Sequence, residues 1–301
     1  MNWWQAIILG IVEGLTEYLP VSSTGHLILV QRALGLTGDA ADAFAICIQA
    51  GAIIAVLGLY WKRIIQMAKG SLAFCRITKT PDPEGFRLAL NIILAFLPAA
   101  FFGLLFDDII EEHLFHPWPI AFALFAGGFA ILAIAWTKKF RAKKQGISLE
   151  ELKAATNAGN PITSLTAVQA LIIGFIQCLA MWPGTSRSLV TIVGGLIVGL
   201  SVAAAVEFSF LLGLLTLLAA TVYKAKTAGP VMLDAYGWTP MIIGSLAAWL
   251  SAVIAVKWMV AYLKKHGLQL FGYYRIILAI LVAILILQGF LSSTTATSIT
   301  P

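Results

Sequence analysis

Residues 10–26 read GIVEGLTEYLPVSSTGH, an apolar segment that carries two glutamates, turns at a proline and ends in a run of hydroxyl groups and a histidine. Residues 2–31 contain no Lys or Arg that could neutralise Glu13 and Glu17. A charge at the centre of a membrane helix costs about 2.5–3.5 kcal/mol or more, so ionisable groups in such a segment mark a functional site. This stretch therefore predicts an apolar helix that ends at a buried polar site.

The composition is that of an integral membrane protein. The 301 residues are 60% hydrophobic and 11% charged, with a mean hydropathy of +0.91, whereas soluble domains carry about 25% charged residues. Lipid tolerates no open sheet edge, so long apolar blocks predict helices. Six uncharged blocks approach the about 17–25 residues that a spanning helix needs: 43–61, 88–106, 119–137, 208–223, 239–256 and 276–291. We expect an all-α polytopic membrane protein with one membrane domain over residues 1–301 and a flexible tail at 292–301.

The chain contains an internal repeat. Residues 10–15 (GIVEGL) align with residues 174–179 (GFIQCL), and in the same register Ser23 falls on Arg187. Each copy turns at a proline just before its hydroxyl run, so both polar motifs occupy the same place in the repeat. The predicted boundaries are about 1–145 for repeat one and about 160–291 for repeat two.

Basic residues indicate the orientation of the chain. The formal net charge of +6 is concentrated in the loops 62–87 and 138–153. We interpret it as the positive-inside bias of a membrane protein rather than as nucleic-acid binding, and place both loops in the cytoplasm. The connection 107–112 is acidic and is expected on the outer side.

The second polar motif decides between two topologies. If block 165–182 turns at Pro183 and returns to the same side, four more cations lie inside and two lie outside: Lys257, Lys264, Lys265 and Arg275 against Lys224 and Lys226. A full crossing would reverse this count. The bias therefore predicts a re-entrant helical hairpin plus three transmembrane helices in each repeat, with the two repeats inverted, as in transporters whose sites lie where the repeats meet.

Glu13 and Glu17 are four residues apart, so a helix places both carboxylates on one face. Two carboxylates this close resist ionising together, which leaves one of them usable for proton transfer near neutral pH. Alternatively they bind a divalent cation, because Mg²⁺ often takes one or two carboxylates together with phosphate oxygens. A pair that merely snorkels to the interface is the third interpretation.

The turn after the glutamates offers a hydroxyl run beside an imidazole: Ser22, Ser23, Thr24, Gly25 and His26. A hydroxyl nucleophile needs a base within hydrogen-bonding distance, which the imidazole could supply. The second helix of the hairpin begins here, and its free N–H groups can bind an anion. Simple N-capping of that helix by the hydroxyls is the alternative.

The second motif supplies a permanent cation. Arg187 presents a planar fork of donors that suits phosphate oxygens, and small or hydroxyl residues surround it: Gly184, Thr185, Ser186 and Ser188. An arginine that only pairs with Glu13 or Glu17 is the alternative, and both roles can hold together. Hydroxyl, carboxylates, imidazole and arginine together indicate phosphoryl transfer, in which positioning and charge stabilisation supply most of the catalysis.

Residues 13–26 (EGLTEYLPVSSTGH) and 183–188 (PGTSRS) closely resemble the motifs of the bacterial undecaprenyl-diphosphate phosphatase family, also called the bacitracin-resistance protein family. Residues 207–212 (EFSFLL) are similar to a third family segment. The resemblance covers nearly the whole chain. It implies a multi-pass enzyme of the bacterial cytoplasmic membrane whose site faces the outer side. Such an enzyme hydrolyses undecaprenyl diphosphate to undecaprenyl phosphate and inorganic phosphate, which recycles the lipid carrier of peptidoglycan synthesis and confers bacitracin resistance.

The resemblance also implies roles for individual residues. Ser23 would be the nucleophile, with His26 and Glu17 as the acid/base apparatus. Glu13 would assist them or bind a divalent cation, Mg²⁺ or Ca²⁺. Arg187 would hold the diphosphate.

The same resemblance gives Thr24 and Ser186 a supporting role around the diphosphate. Leu189 departs from the family pattern, which usually has Gly after the Ser-Arg-Ser run, and could narrow the second tip. The expected partners are the polyprenyl diphosphate lipid and the bilayer, and a homodimer remains open. A polyprenyl-phosphate flippase that uses Glu13 and Glu17 as proton carriers is the competing hypothesis. The motifs favour the enzyme, because a transporter needs no hydroxyl beside an imidazole.

Overall fold

The structure is a computed structural model that describes residues 1–77, 82–148, 150–151, 154 and 157–291, without the side chains of residues 111, 138 and 141. The predicted tail at 292–301 lies outside the described residues. The described residues form helices and contain no strand beyond one isolated bridge between Asn160 and Leu200. The α-helices are α1 (Trp3–Thr16), α2 (Ser23–Ala33), α3 (Asp39–Cys47), α4 (Gln49–Leu59), α5 (Trp61–Phe74), α6 (Pro83–Leu114), α7 (Pro117–Lys144), α8 (Ala167–Gln177), α9 (Arg187–Ile197), α10 (Val202–Thr227), α11 (Gly229–Tyr236), α12 (Trp238–His266) and α13 (Gln269–Leu287).

Six apolar segments of the described chain are long enough to cross a membrane: α3 with α4, α6, α7, α10, α12 and α13. Each coincides with one of the six blocks predicted from the sequence, so the all-α polytopic prediction is confirmed at this level. The apolar helices α1, α8 and α9 are shorter, at 10–17 residues. They are the helices that lead into or out of the two polar motifs.

Helix α1 is held against α12 by a close approach of small residues. A Cβ atom on Gly10 would lie 2.9 Å from the Cβ of Ala247, and one on Gly14 would lie 2.8 Å from the backbone nitrogen of Ala252 and closer still to the carbonyl of Ala248. Small residues spaced by four let two helix backbones approach closely where lipid offers no hydrophobic driving force. This contact fixes the end of α1 that carries the two glutamates.

The two polar motifs form the turns of two helical hairpins, α1 with α2 and α8 with α9. Ser22 and Ser186 are the N-cap residues of α2 and α9, with φ of 71° and 74°, a backbone conformation that non-glycine residues rarely adopt. Each accepts a hydrogen bond from a backbone N–H three residues ahead, that of Gly25 or Leu189. N-capping is thus the observed role of these two hydroxyls.

The tips of the hairpins are in contact with each other. Ser188 is fully buried, and its hydroxyl donates to the backbone carbonyl of Leu19 over 2.9 Å. The two motifs, far apart in the chain, therefore belong to one site.

Candidate active site

The first element of the site is a hydroxyl bonded to a carboxylate. Ser23 opens α2, and its Oγ donates to Oε2 of Glu17 over 2.6 Å, with both residues buried. Glu17 is the C-cap of α1, so the helix end fixes its backbone while Ser22 fixes the start of α2. A carboxylate in direct contact with a hydroxyl is placed to accept its proton.

The second element comes from the other hairpin. Nη2 of Arg187 donates to Oε1 of Glu17 over 2.8 Å, and Nη1 donates to the carbonyl of Ser209 over 3.1 Å. The guanidinium lies over the ring of Tyr18, 5.8 Å from its centroid. Glu17 therefore joins the Ser23 hydroxyl and the Arg187 guanidinium, one carboxylate oxygen to each, and the predicted proximity of these groups is confirmed.

Glu13 is fully buried, and neither of its carboxylate oxygens has a hydrogen-bond partner among the described residues. A buried ionised carboxylate without a partner is very costly, so Glu13 is either protonated or completed by a group that the protein binds. The described residues contain no cluster of three or more His, Cys, Asp or Glu that could hold a metal ion. Glu13 and Glu17 therefore fit a divalent cation only if phosphate oxygens or water supply its other ligands.

His26 lies on the α13 side of the first tip. Its Nδ1 is 2.7 Å from the carbonyl oxygen of Ser22, and its Nε2 is 2.6 Å from the hydroxyl of Tyr274, whose ring stacks on the imidazole. A carbonyl can only accept, so Nδ1 carries the hydrogen and the neutral Nε2 accepts from Tyr274. In the described contacts, the carboxylate of Glu17 and not the imidazole bonds Ser23.

The other residues predicted for the site line the two tips. Thr24 and Gly25 lie in the first turn of α2, and a Cβ on Gly25 would touch Leu124 of α7 at 3.4 Å. Gly184 has a φ of +94° at the second turn, where Thr185 donates its N–H to the carbonyl of Trp182. The hydroxyls of Ser186 and Ser188 are 3.0 Å apart. Leu189 is buried in the main hydrophobic cluster, so the structure gives no sign that it narrows the tip.

Arg275, which the charge count treated as a cytoplasmic cation, is not an exposed residue. Its side chain is fully buried in α13 and donates to the carbonyls of Gly184 at 2.9 Å, Ala123 at 3.0 Å and Pro20 at 3.4 Å. The positive-inside rule counts charges that water can reach, whereas this guanidinium is solvated by backbone carbonyls of the protein. In the sequence Arg275 stands directly before the apolar block 276–291, so the count of charges treats it as a loop cation.

Two further contributions were missed. Thr191, one turn after Arg187 on α9, is 2.6 Å from the hydroxyl of Ser209 and thereby fixes the segment whose carbonyl binds the guanidinium. The fully buried Tyr18 places its ring against the same guanidinium, and its hydroxyl donates to the carbonyl of Ala52. Glu207, in the third motif segment, instead pairs with Arg63 at 2.6 Å.

Comparison with known proteins gives a consistent result. The family model described as "Bacitracin resistance protein BacA" matches residues 6–281. The undecaprenyl-diphosphatase of Sorangium cellulosum is 43% identical over 283 residues, covering 94% of this chain and 86% of that protein. The undecaprenyl-diphosphatase of Ectopseudomonas mendocina is 41% identical and covers 92% of each chain. The undecaprenyl-diphosphatase of Clostridium tetani is 38% identical, and the match covers 93% of this chain and 95% of that protein.

Proposed function

Since this chain belongs to the bacitracin resistance protein BacA family, we propose that it is a membrane phosphatase that hydrolyses undecaprenyl diphosphate to undecaprenyl phosphate and inorganic phosphate. The name shared by its relatives supports the substrate. The single observation that carries the chemistry is the contact of Glu17 with both Ser23 and Arg187. It joins a nucleophile, its base and an anion-binding cation in one buried site.

In the proposed mechanism the terminal phosphate lies between the starts of α2 and α9, where unpaired N–H groups favour an anion. Ser23 Oγ attacks the terminal phosphorus and Glu17 takes the hydroxyl proton. The bond to the bridging oxygen breaks and the departing undecaprenyl phosphate takes the proton from Glu17, which becomes a carboxylate again. Arg187 stabilises the charge that spreads over the phosphoryl oxygens.

A water molecule completes the turnover. Glu17 removes a proton from it, the water attacks the phosphoserine, and inorganic phosphate leaves as Glu17 gives that proton to Ser23 Oγ. Direct attack by water, with Ser23 positioning it, is the alternative form of the same reaction. Glu13, whose two carboxylate oxygens have no described partner, would hold a divalent cation together with phosphate oxygens and water, and such a cation would neutralise charge on the diphosphate.

We further propose the inverted-repeat architecture, with α1–α2 and α8–α9 as re-entrant hairpins entered from opposite faces and the site open to the outer side. Its support is that Ser22 and Ser186, aligned by the repeat, adopt the same rare cap conformation. Cys75, exposed after α5, would then face the cytoplasm. A membrane-impermeant thiol reagent should leave Cys75 unlabelled in intact cells and label a Thr37→Cys variant, and the reverse pattern would reject this orientation.

Phosphate release by purified protein tests the function. In detergent, with undecaprenyl diphosphate as substrate, Ser23→Ala and Glu17→Gln should each lose at least about 100-fold in kcat, because acid–base and nucleophilic groups typically contribute about 10²–10⁴-fold. Ser71→Ala is the matched control, because that hydroxyl only donates to Met67 in its own helix. Wild-type protein that releases no phosphate in detergent would contradict the enzyme and favour a transporter. Near-normal activity of Ser23→Ala would exclude the nucleophile.

In cells, the proposed activity predicts that expression of the protein raises the bacitracin concentration that a sensitive strain tolerates. Arg187→Ala should abolish this gain if phosphate binding requires the guanidinium.

A further inference from the structure

Helix α13 contributes two consecutive polar residues to the hairpin tips, although neither belongs to the two long motifs. Tyr274 contacts the imidazole of His26, and Arg275 contacts the backbone of both tips. Because successive residues of a helix point in different directions, the two side chains reach different parts of the site from one short segment.

Arg275 is a buried cation whose described hydrogen bonds all go to backbone carbonyls. One carbonyl belongs to the first tip (Pro20), one to the second tip (Gly184) and one to α7 (Ala123). Membrane-embedded cations are expensive, so a buried arginine of this kind indicates a functional site. The guanidinium therefore ties the two tips to each other and to the surrounding bundle.

Gly127 of α7 leaves the space that the Arg275 guanidinium occupies. A Cβ on Gly127 would lie 2.9 Å from Cζ of Arg275 and closer still to Nη2. Any larger residue at 127 would displace the guanidinium from the carbonyls it joins. The space gives an independent way to perturb Arg275 without removing its charge.

Tyr274 holds the imidazole of His26 in place. The Ser22 carbonyl can only accept, so it sets the hydrogen on Nδ1. In the neutral ring Nε2 is then an acceptor, and the Tyr274 hydroxyl is its donor at 2.6 Å. The stacked rings, 5.6 Å apart and 5° from parallel, also hold the orientation of the imidazole.

We propose that Tyr274 and Arg275 are the positioning residues of the site: Arg275 holds the two tips at the separation that phosphoryl transfer needs, and Tyr274 holds the orientation of the His26 imidazole, the acid/base group predicted from the sequence, through the Nε2 hydrogen bond and the stacked ring. This proposal rests on the proposed phosphatase function. Neither residue is required to touch the substrate. The site thus has three parts: the two hairpin tips and the short segment of α13 that positions them.

The test of Arg275 uses three variants and two measurements. A misplacement of about 1 Å can cost about 100-fold in rate, so Arg275→Met and Gly127→Ala should each lower kcat by about that factor, with a much smaller change in KM. Arg275→Lys keeps the charge and should recover part of the loss. Amide hydrogen exchange should rise in residues 17–26 and 183–188 of Arg275→Met and Gly127→Ala, and Gly58→Ala, whose added methyl meets nothing within 4 Å among the described residues, should change neither measurement.

A wild-type kcat in Gly127→Ala would overturn the role of Arg275. So would a loss of melting temperature in Arg275→Met with kcat unchanged, since a purely structural residue gives that pattern. If Arg275→Met does not fold, Gly127→Ala and Arg275→Lys decide the question.

The test of Tyr274 uses ¹⁵N-histidine NMR on the protein without substrate, with the His26 signals assigned from a His26→Gln variant. The wild type should show the Nδ1–H tautomer. Tyr274→Phe keeps the stacked ring and loses the donor to Nε2, while the Ser22 carbonyl still accepts from Nδ1–H. The tautomer should therefore persist, the ¹⁵N signal of Nε2 should move downfield as that nitrogen loses its hydrogen bond, and kcat should fall by about tenfold, the lower end of what supporting residues around a site contribute. Tyr273→Phe, a change of the same kind on the neighbouring half-exposed residue, should leave the Nε2 signal and kcat unaltered.

An unchanged Nε2 signal and an unchanged kcat in Tyr274→Phe would overturn this part of the proposal. The Nε2 signal and the exchange rates need no turnover. If wild-type protein releases no phosphate, the proposed function fails, while these two measurements still decide whether α13 positions the tips.

Discussion

Gly213 of α10 leaves the space in which the Arg187 guanidinium lies. Replacing Gly213 with alanine therefore tests the proposed phosphate-binding role of Arg187 without removing any polar group. A Cβ at 213 would lie 2.6 Å from Cζ of Arg187, 2.9 Å from Nη2 and closer still to Nη1. Nonbonded carbon atoms pack at about 3.5–4.0 Å. The guanidinium must therefore move by about 1 Å or the two helices must separate.

This displacement is large compared with the hydrogen bonds that hold Arg187. Its contacts with Glu17 and with the Ser209 carbonyl are 2.8 and 3.1 Å long, and such bonds weaken beyond about 3.2 Å. A misplacement of about 1 Å can cost about 100-fold in rate, which corresponds to about 2.7 kcal/mol of transition-state stabilisation. We expect kcat/KM of Gly213→Ala to fall by about that factor. Helix propensity alone would favour alanine by about 1 kcal/mol, so intrinsic helix stability does not explain a loss.

The assay is phosphate release from undecaprenyl diphosphate by purified protein, with Gly58→Ala as the matched glycine-to-alanine control in α4, where the added methyl meets no described atom within 4 Å. Melting temperatures of a double-mutant cycle locate the clash. Gly213→Ala should lower the melting temperature in the wild type and should not lower it in an Arg187→Ala background, where the guanidinium is gone. Activity of Gly213→Ala within threefold of wild type would refute the reasoning, as would an equal loss of melting temperature in both backgrounds.

Three other predictions concern Glu13, the packing of α1 on α12, and the contact between Thr191 and Ser209. Glu13→Gln should raise the Mg²⁺ concentration needed for half-maximal phosphate release in chelator-treated protein, and an unchanged Mg²⁺ dependence would reject Glu13 as a ligand. Gly14→Ala should lower the free energy of unfolding by about 1–3 kcal/mol through overpacking against α12. The measurement is a drop in melting temperature that Gly103→Ala should not share, because among the described residues its added Cβ meets only Met181, at 3.9 Å. Thr191→Val removes the hydroxyl that contacts Ser209; it should cost about 1 kcal/mol of stability and lower kcat/KM, whereas an unchanged kcat/KM would mean that Ser209 holds its place unaided.

The sequence was sufficient for the helical framework and for the centre of the site. Block length and hydropathy predicted the six long apolar segments, because membrane thickness sets the length of a spanning helix. Glu17 and Arg187 were each conspicuous as charges in long apolar stretches. Opposite charges so placed have few partners other than each other, which made their contact predictable across the chain.

The surroundings of the site could not be predicted in the same way. Arg275 lies near the start of an apolar block, where it could not be distinguished from a cytoplasmic loop cation by counting charges. The partner of His26 is Tyr274, 248 residues later, and no spacing rule relates the two. Such contacts depend on how whole helices pack, and the small residues that govern this packing, such as Gly127, carry no chemical signal of their own.

Glu17 and Arg187 form an ion pair in which each group neutralises the charge of the other. In the proposed mechanism this pair keeps Glu17 a weak base until the substrate binds. A diphosphate carries more negative charge than one carboxylate and can compete for the guanidinium, which has only one described carboxylate partner and a buried Nε–H without a partner among the described residues. As Arg187 turns toward the phosphate, Glu17 loses its cation at the moment when Ser23 must give up a proton. Substrate binding and activation of the base are then one event, and the hydroxyl stays unreactive while the site is empty. That coupling requires the two tips to keep a fixed separation, which is the role that the geometry gives to Arg275.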